Sequence, residues 1–120
     1  MRLVTAVCAA CLLLAGCGTP RDLSRQAEEV HSVAAEGALL AHDASAGSST
    51  EIFTREHAKA LRKLLSPVRE AIDDARLVGI ADDVDRTLGE LEASSGDKAV
   101  AAGAERKLDQ LAGSAEGLAG

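Results

Sequence analysis

The chain has no Trp, no Tyr and a single Phe, Phe53, among its 120 residues. Strands need aromatic and β-branched side chains to fill a pleated, half-buried surface, so a sheet has little here to be built from. Proline is nearly as scarce: only Pro20 and Pro67 are present to interrupt a helix. Alanine is plentiful, about one residue in five, and Leu, Glu and Arg accompany it, all strong helix formers. The expected class is all-α, with helices packed closely because many inward positions carry only a methyl group. Basic charge is also in short supply, 13 Lys and Arg against 19 Asp and Glu. Nucleic-acid binding draws on a basic footprint, so no nucleic-acid partner is expected. Short catalytic motifs are missing too: the sequence has no Gly-x-Ser-x-Gly, no phosphate-cradling glycine loop and no zincin pair. An enzyme is not expected.

One end of the chain is different in kind. After Met1 and Arg2, residues 3–15 carry no charge and are rich in Leu, Val, Ala and Cys. That run fits the apolar region of a secretory signal, about 7–15 residues, and falls short of the about 20 that span a bilayer. It ends in Leu14-Ala15-Gly16-Cys17: a branched aliphatic residue, a small residue, glycine, then cysteine. This stretch resembles the signal peptide and lipobox of a bacterial lipoprotein. The resemblance implies lipidation of the Cys17 thiol, cleavage before it and acylation of the new amine, including palmitate. Two or three acyl chains give stable anchoring. It divides the chain into a signal peptide at 1–16, a lipidated Cys17 with a short tether at 17–20, and a folded domain at 21–120. Gly18, where an Asp would favour inner-membrane retention, implies the periplasmic side of the outer membrane in a Gram-negative cell. In a monoderm bacterium it implies the outer face of the plasma membrane. Cys8 and Cys11 leave with the leader and Cys17 carries lipid, so the mature domain has no thiol for a disulfide or metal site. Without Arg2 its net charge is about −7, so the lipid, not adhesion to anionic headgroups, holds it at the membrane.

Apolar periodicity in the remainder predicts four amphipathic helices. The first runs from 21 to about 44, with Leu23, Ala27, Val30, Ala34 and Ala41 on one face. Gly37 weakens it or permits a close crossing. A small polar loop follows at 45–50. The second starts near an N-cap at Thr54, with a stripe of Phe53, His57, Leu61, Leu64, Val68, Ile72 and Ala75. It is read as one kinked helix through Pro67 in preference to two, ending at Gly79. The third spans about 81–93, with Asp82, Asp83 and Asp85 in its first turn and Val84, Leu88 and Leu91 inward. A turn at 94–97 offers Asp97 as a cap for the fourth, about 98–118, whose stripe includes Val100, Ala104, Leu108, Leu111, Ala115 and Leu118. Short connections make this an antiparallel four-helix bundle; the alternative is a three-helix bundle with a loosely attached segment.

Candidate sites are few. His42 and His57 flank the 45–50 loop, and with Asp43 they form the one candidate divalent-metal set, Glu51 and Glu56 being near in sequence. The alternative is a bonded boundary His57 and an exposed His42. Glu28 and His31 have the spacing of one di-iron half-site, but such sites need two. The aspartates at 82–85 lack the spacing of a calcium loop. Arg55, Arg62, Arg69 and Arg76 recur every seven residues, either as a ridge for an anionic partner or as a solvated face interleaved with acids. No cofactor is expected beyond such a metal. The functional expectation is a lipid-anchored extracytoplasmic module that binds a protein partner or supports the envelope. The alternative is a metal- or small-ligand-binding lipoprotein using His42 and His57.

Overall fold

The computed structural model describes residues 22–120. The leader, Cys17, the tether and Arg21 lie outside the described residues. The rest is an all-α four-helix bundle: α1 (Leu23–Ala46), α2 (Glu51–Ala71), α3 (Ala75–Ala93) and α4 (Lys98–Ala119), with no strand among the described residues. Neighbours are antiparallel. At the base, the Ser24 hydroxyl donates to the Ala119 carbonyl at the end of α4, 2.5 Å, and Gln26 Nε2 donates to the Ala71 carbonyl at the end of α2, 3.0 Å. All four helices enter one core, led by Leu61 and Leu65 of α2, Leu77, Leu88 and Leu91 of α3, and Leu108 of α4, all fully buried. Among the described residues, no segment hangs loosely beside a three-helix core.

Each boundary has a local cause. Asp22, Thr50, Asp74 and Asp97 cap the four N-termini, their side chains accepting first-turn backbone N–H groups that no carbonyl of the helix can reach. α1 ends at Gly47, φ 77°, in a left-handed conformation that glycine adopts without strain. The Gly47 N–H reaches the Ala44 carbonyl and the Ser48 N–H the Asp43 carbonyl, the paired bonds of a Schellman turn. α1 and α4 therefore match the expected spans to within about two residues.

The middle of the chain departs from expectation in three ways. First, α2 begins one turn early. Thr50, not Thr54, is the cap, accepting from the Phe53 N–H at 3.1 Å. Thr54 is fully buried and turns its hydroxyl back to the Thr50 carbonyl. Second, the break between α2 and α3 falls at 72–74, not at Gly79. Asp74 takes the N–H groups of Arg76 and Leu77 at 2.9 and 3.2 Å, a cap that starts a helix there. Gly79 then sits inside α3, where its propensity cost of about 1 kcal/mol is carried by the helix. Asp82, Asp83 and Asp85 consequently lie mid-helix rather than in a first turn. Third, α2 buries Thr54, Ala58, Leu61 and Leu65, a face turned by about one residue from the expected stripe. Leu64 is 61% exposed and Phe53 57%. α2 does continue through Pro67 as one helix. Pro67 is exposed, and its missing N–H leaves one carbonyl of the preceding turn without its helical bond.

Small residues set how close the helices come. α1 turns Ala27, Ala34, Ala38 and Ala41 inward, and α4 supplies Ala101, Ala104, Ala112 and Ala115. Gly37 sits at the tightest point. A Cβ there would lie 2.9 Å from Leu88 Cδ2 and 3.2 Å from Leu108 Cδ1, so the glycine permits the close crossing.

A candidate docking face between α1 and α2

The three histidines take separate places. His42 Nδ1 lies 2.9 and 3.1 Å from the two carboxylate oxygens of Glu105 on α4. The hydrogen bond to Glu105, and then its charge, raise the imidazole above its ordinary pKa, with Asp43 and Asp109 adding to the effect. His57 instead lies over the other flank of α1, its Nε2 3.2 Å from Glu36. Its ring meets Phe53 edge-on at 5.4 Å. His31 donates from Nδ1 to the Ala112 carbonyl at 2.8 Å. Glu36, the partner of His57, is six residues before His42, about 9 Å along the axis. His42, His57 and Asp43 are therefore not brought together: one imidazole faces α4 and the other faces α1 from α2. Among the described residues, no group of three or more His, Cys, Asp or Glu is placed to hold a metal ion, at the Glu28–His31 pair or elsewhere.

The seven-residue arginine series is also divided. Arg62 reaches Asp85 at 3.1 Å and Glu92 at 2.8 Å, and Arg69 reaches Asp82 at 2.7 Å and Asp85 at 3.4 Å. These pairs tie α2 to α3. Arg76 pairs with Asp74 on its own helix, and Arg55 lies 3.9 Å from Glu56. Arg62 and Arg69 thus form a half-exposed ionic seam, each of their pairs contributing up to about 1 kcal/mol, and the series is not a free basic ridge.

What remains is the side where α1 and α2 meet. Two adjoining concavities run along it. One is lined by Asp22, Arg25, Gln26, Pro67, Val68 and Ala71. The next is lined by Glu28, Glu29, Ser32 and Val33 of α1 and Leu64 and Val68 of α2. Further up, the bonded Glu36–His57 pair bridges the groove, with Phe53 against His57 and Leu39 about one turn beyond Glu36. Leu39 (68% exposed), Ile52 (66%), Phe53 and Leu64 are the large apolar side chains left in solvent. Sequence periodicity had the signal for half of this face, because Phe53, His57, Leu64 and Val68 form a regular stripe. It offered no sign of Leu39 or Ile52, which break the polar pattern singly.

No protein-family model, no curated protein and no solved structure matches the chain.

Proposed function

We propose that this chain is a lipid-anchored, non-catalytic helical module of the bacterial cell envelope that docks a protein partner on its α1/α2 face. The observation that carries the docking reading is the exposure of Leu39, Ile52, Phe53 and Leu64. Leu64 lines the groove and Phe53 packs on the His57 that bridges it, in a domain whose other large apolar groups are mostly covered, and exposed apolar surface of this kind marks interaction sites. The anchor reading is supported by Leu14-Ala15-Gly16-Cys17 and the uncharged run before it. It puts the base of α1 next to the membrane and turns the Gly47–Thr50 end outward. The membrane is the outer membrane, periplasmic side, in a Gram-negative cell, and the plasma membrane, outer face, in a monoderm.

Two measurements test these readings separately. Metabolic labelling with palmitate should mark the full chain and leave Cys17→Ala unlabelled and released from the membrane fraction. Equal membrane retention of both would overturn the anchor. A photo-crosslinking side chain in place of Leu64, in the full chain in its own envelope, should give a discrete protein adduct. The same group in place of Arg106, exposed on α4, should give none. No adduct at Leu64 would overturn the docking reading.

A further inference from the structure

The other flank of α2, where it meets α3, carries a feature independent of the docking face. We propose that the concavity there binds the phosphate terminus of an anionic ligand, held by Lys59, Arg62, Lys63 and Ser66. These four side chains line it together with Arg69, Asp85 and Glu92. Along α2 they follow at steps of three, one and three residues, so they share one face over two turns, about 10 Å.

The lining is cationic although the chain as a whole carries −6. Lys59, Arg62, Lys63 and Arg69 stand against Asp85 and Glu92. The balance stays positive even with Asp82, which holds Arg69 at 2.7 Å, counted in. Both lining carboxylates are engaged. Arg62 donates from Nε to Asp85 at 3.1 Å and from Nη1 to Glu92 at 2.8 Å, and Arg69 Nη1 lies 3.4 Å from Asp85. Lys59 and Lys63, one turn apart, form no ion pair among the described residues. Like charges at that spacing destabilise a helix, and a bound anion removes the repulsion.

The donors that remain suit a phosphate. Arg62 is set in place by α3: two of its nitrogens are bonded there, and a Cβ at Gly89 would stand 3.4 Å from its Cζ. Its third nitrogen, Nη2, has no hydrogen-bond partner among the described residues, on a side chain 38% exposed. The Ser66 hydroxyl is likewise unbonded among the described residues. One positioned guanidinium edge and one hydroxyl are thus flanked by two ammonium groups on flexible stems, which act as point charges for phosphate. A phosphate terminus brings three acceptor oxygens and a charge of about −1.5 to −2 at pH 7, where a carboxylate brings two oxygens and a single charge. A phosphorylated solute and a phosphomonoester lipid headgroup both present this group.

NMR of the full chain in non-ionic detergent, titrated with inorganic phosphate at constant ionic strength, tests this. The Lys59 and Lys63 side-chain signals and the Ser66 amide should shift together and saturate, and chloride or acetate should not reproduce the effect. Lys59→Gln with Lys63→Gln should weaken binding at least about tenfold, with helical circular dichroism unchanged. The same loss of two charges at Arg106 and Lys107, exposed on α4, should leave binding within about twofold. Phosphatidic acid mixed into the micelles separates the two sources. Saturation at a lower concentration of phosphatidic acid than of free phosphate assigns the site to a lipid headgroup, and a response to free phosphate alone assigns it to a solute. No saturable shift with either, an equal response to chloride or acetate, or unchanged binding in the lysine variant overturns the site.

Discussion

α1 has two sequence-adjacent flanks that meet their neighbours very differently. Against α4 it is joined at three heights, with Ser24 bonding Ala119, His31 bonding Ala112 and His42 bonding Glu105, alanines and Gly37 between them, and one concavity beside Glu28, His31 and Glu116 near the base. Against α2 it is joined at Gln26–Ala71 and Glu36–His57, and a groove runs past Val33, Leu64 and Val68. The difference is one of side-chain size. Methyl groups on both partners let α1 and α4 pack closely, with the Leu108 side chain of α4 set against Gly37 of α1. α2 carries Phe53 and Leu64 toward its seam, and these are too large to enter between helices spaced by alanine. The close seam thus excludes from the core the side chains that the open seam displays.

The widest test of that contrast is Gly37→Val. Added methyl groups would strike Leu88 and Leu108, and overpacking of this kind costs about 3 kcal/mol. The melting temperature should drop by about 15 °C. A retained Tm would mean that the seam is looser than described. Next comes a matched pair, Ala34→Leu and Ala60→Leu. Ala34 is fully buried on α1 and Ala60 is exposed on α2. Chemical denaturation should show about 2 kcal/mol lost at the first and less than about 0.5 at the second. Equal losses would erase the distinction between the seams.

These positions also show what the sequence reveals and what it hides. α1 and α4 are legible because their stripes are regular and their ends carry strong local signals, Gly47 and Asp97. The α2–α3 joint is not, because two signals compete there. Gly79 resembles a stop, but Asp74 offers a side chain to two N–H groups, and the cap prevails. The phase of α2 is hidden for another reason. Thr54 and Ala58 on one side and Phe53 and Leu64 on the other make a stripe wider than the core can cover, and hydrophobicity ranks the wrong half inward. Neighbour spacing, a property of α1 and α4, decides the matter. The histidines fail similarly. Sequence distance places His42 and His57 near one loop, but the helical angle puts them on different flanks of α1.

Two smaller effects sharpen the comparison. Leu64→Ser should change unfolding free energy by less than about 0.5 kcal/mol, since its side chain lies in solvent, while weakening capture of the partner on the α1/α2 face. A large destabilisation would show that Leu64 belongs to the core. On the closed flank, His42 titrates above its ordinary value because protonation strengthens its pairing with Glu105. Its stabilising contribution is fully present below the unfolded value near 6.5 and is lost as pH rises through the higher folded value. An NMR titration should find that His42 shift, and Glu105→Gln should bring it back down. No change in Glu105→Gln would remove Glu105 as the cause.

The bonds at the base of the bundle, Ser24 to Ala119 and Gln26 to Ala71, put the first and last turns of the domain side by side. A pull that separates the two termini peels α1 from α4 one turn at a time, from the base upward. A pull between the N-terminus and the Gly47–Thr50 tip instead runs along α1 itself, where its backbone hydrogen bonds share the load and the packed neighbours hold it in place. The domain is thus soft to one direction of tension and stiff to the other.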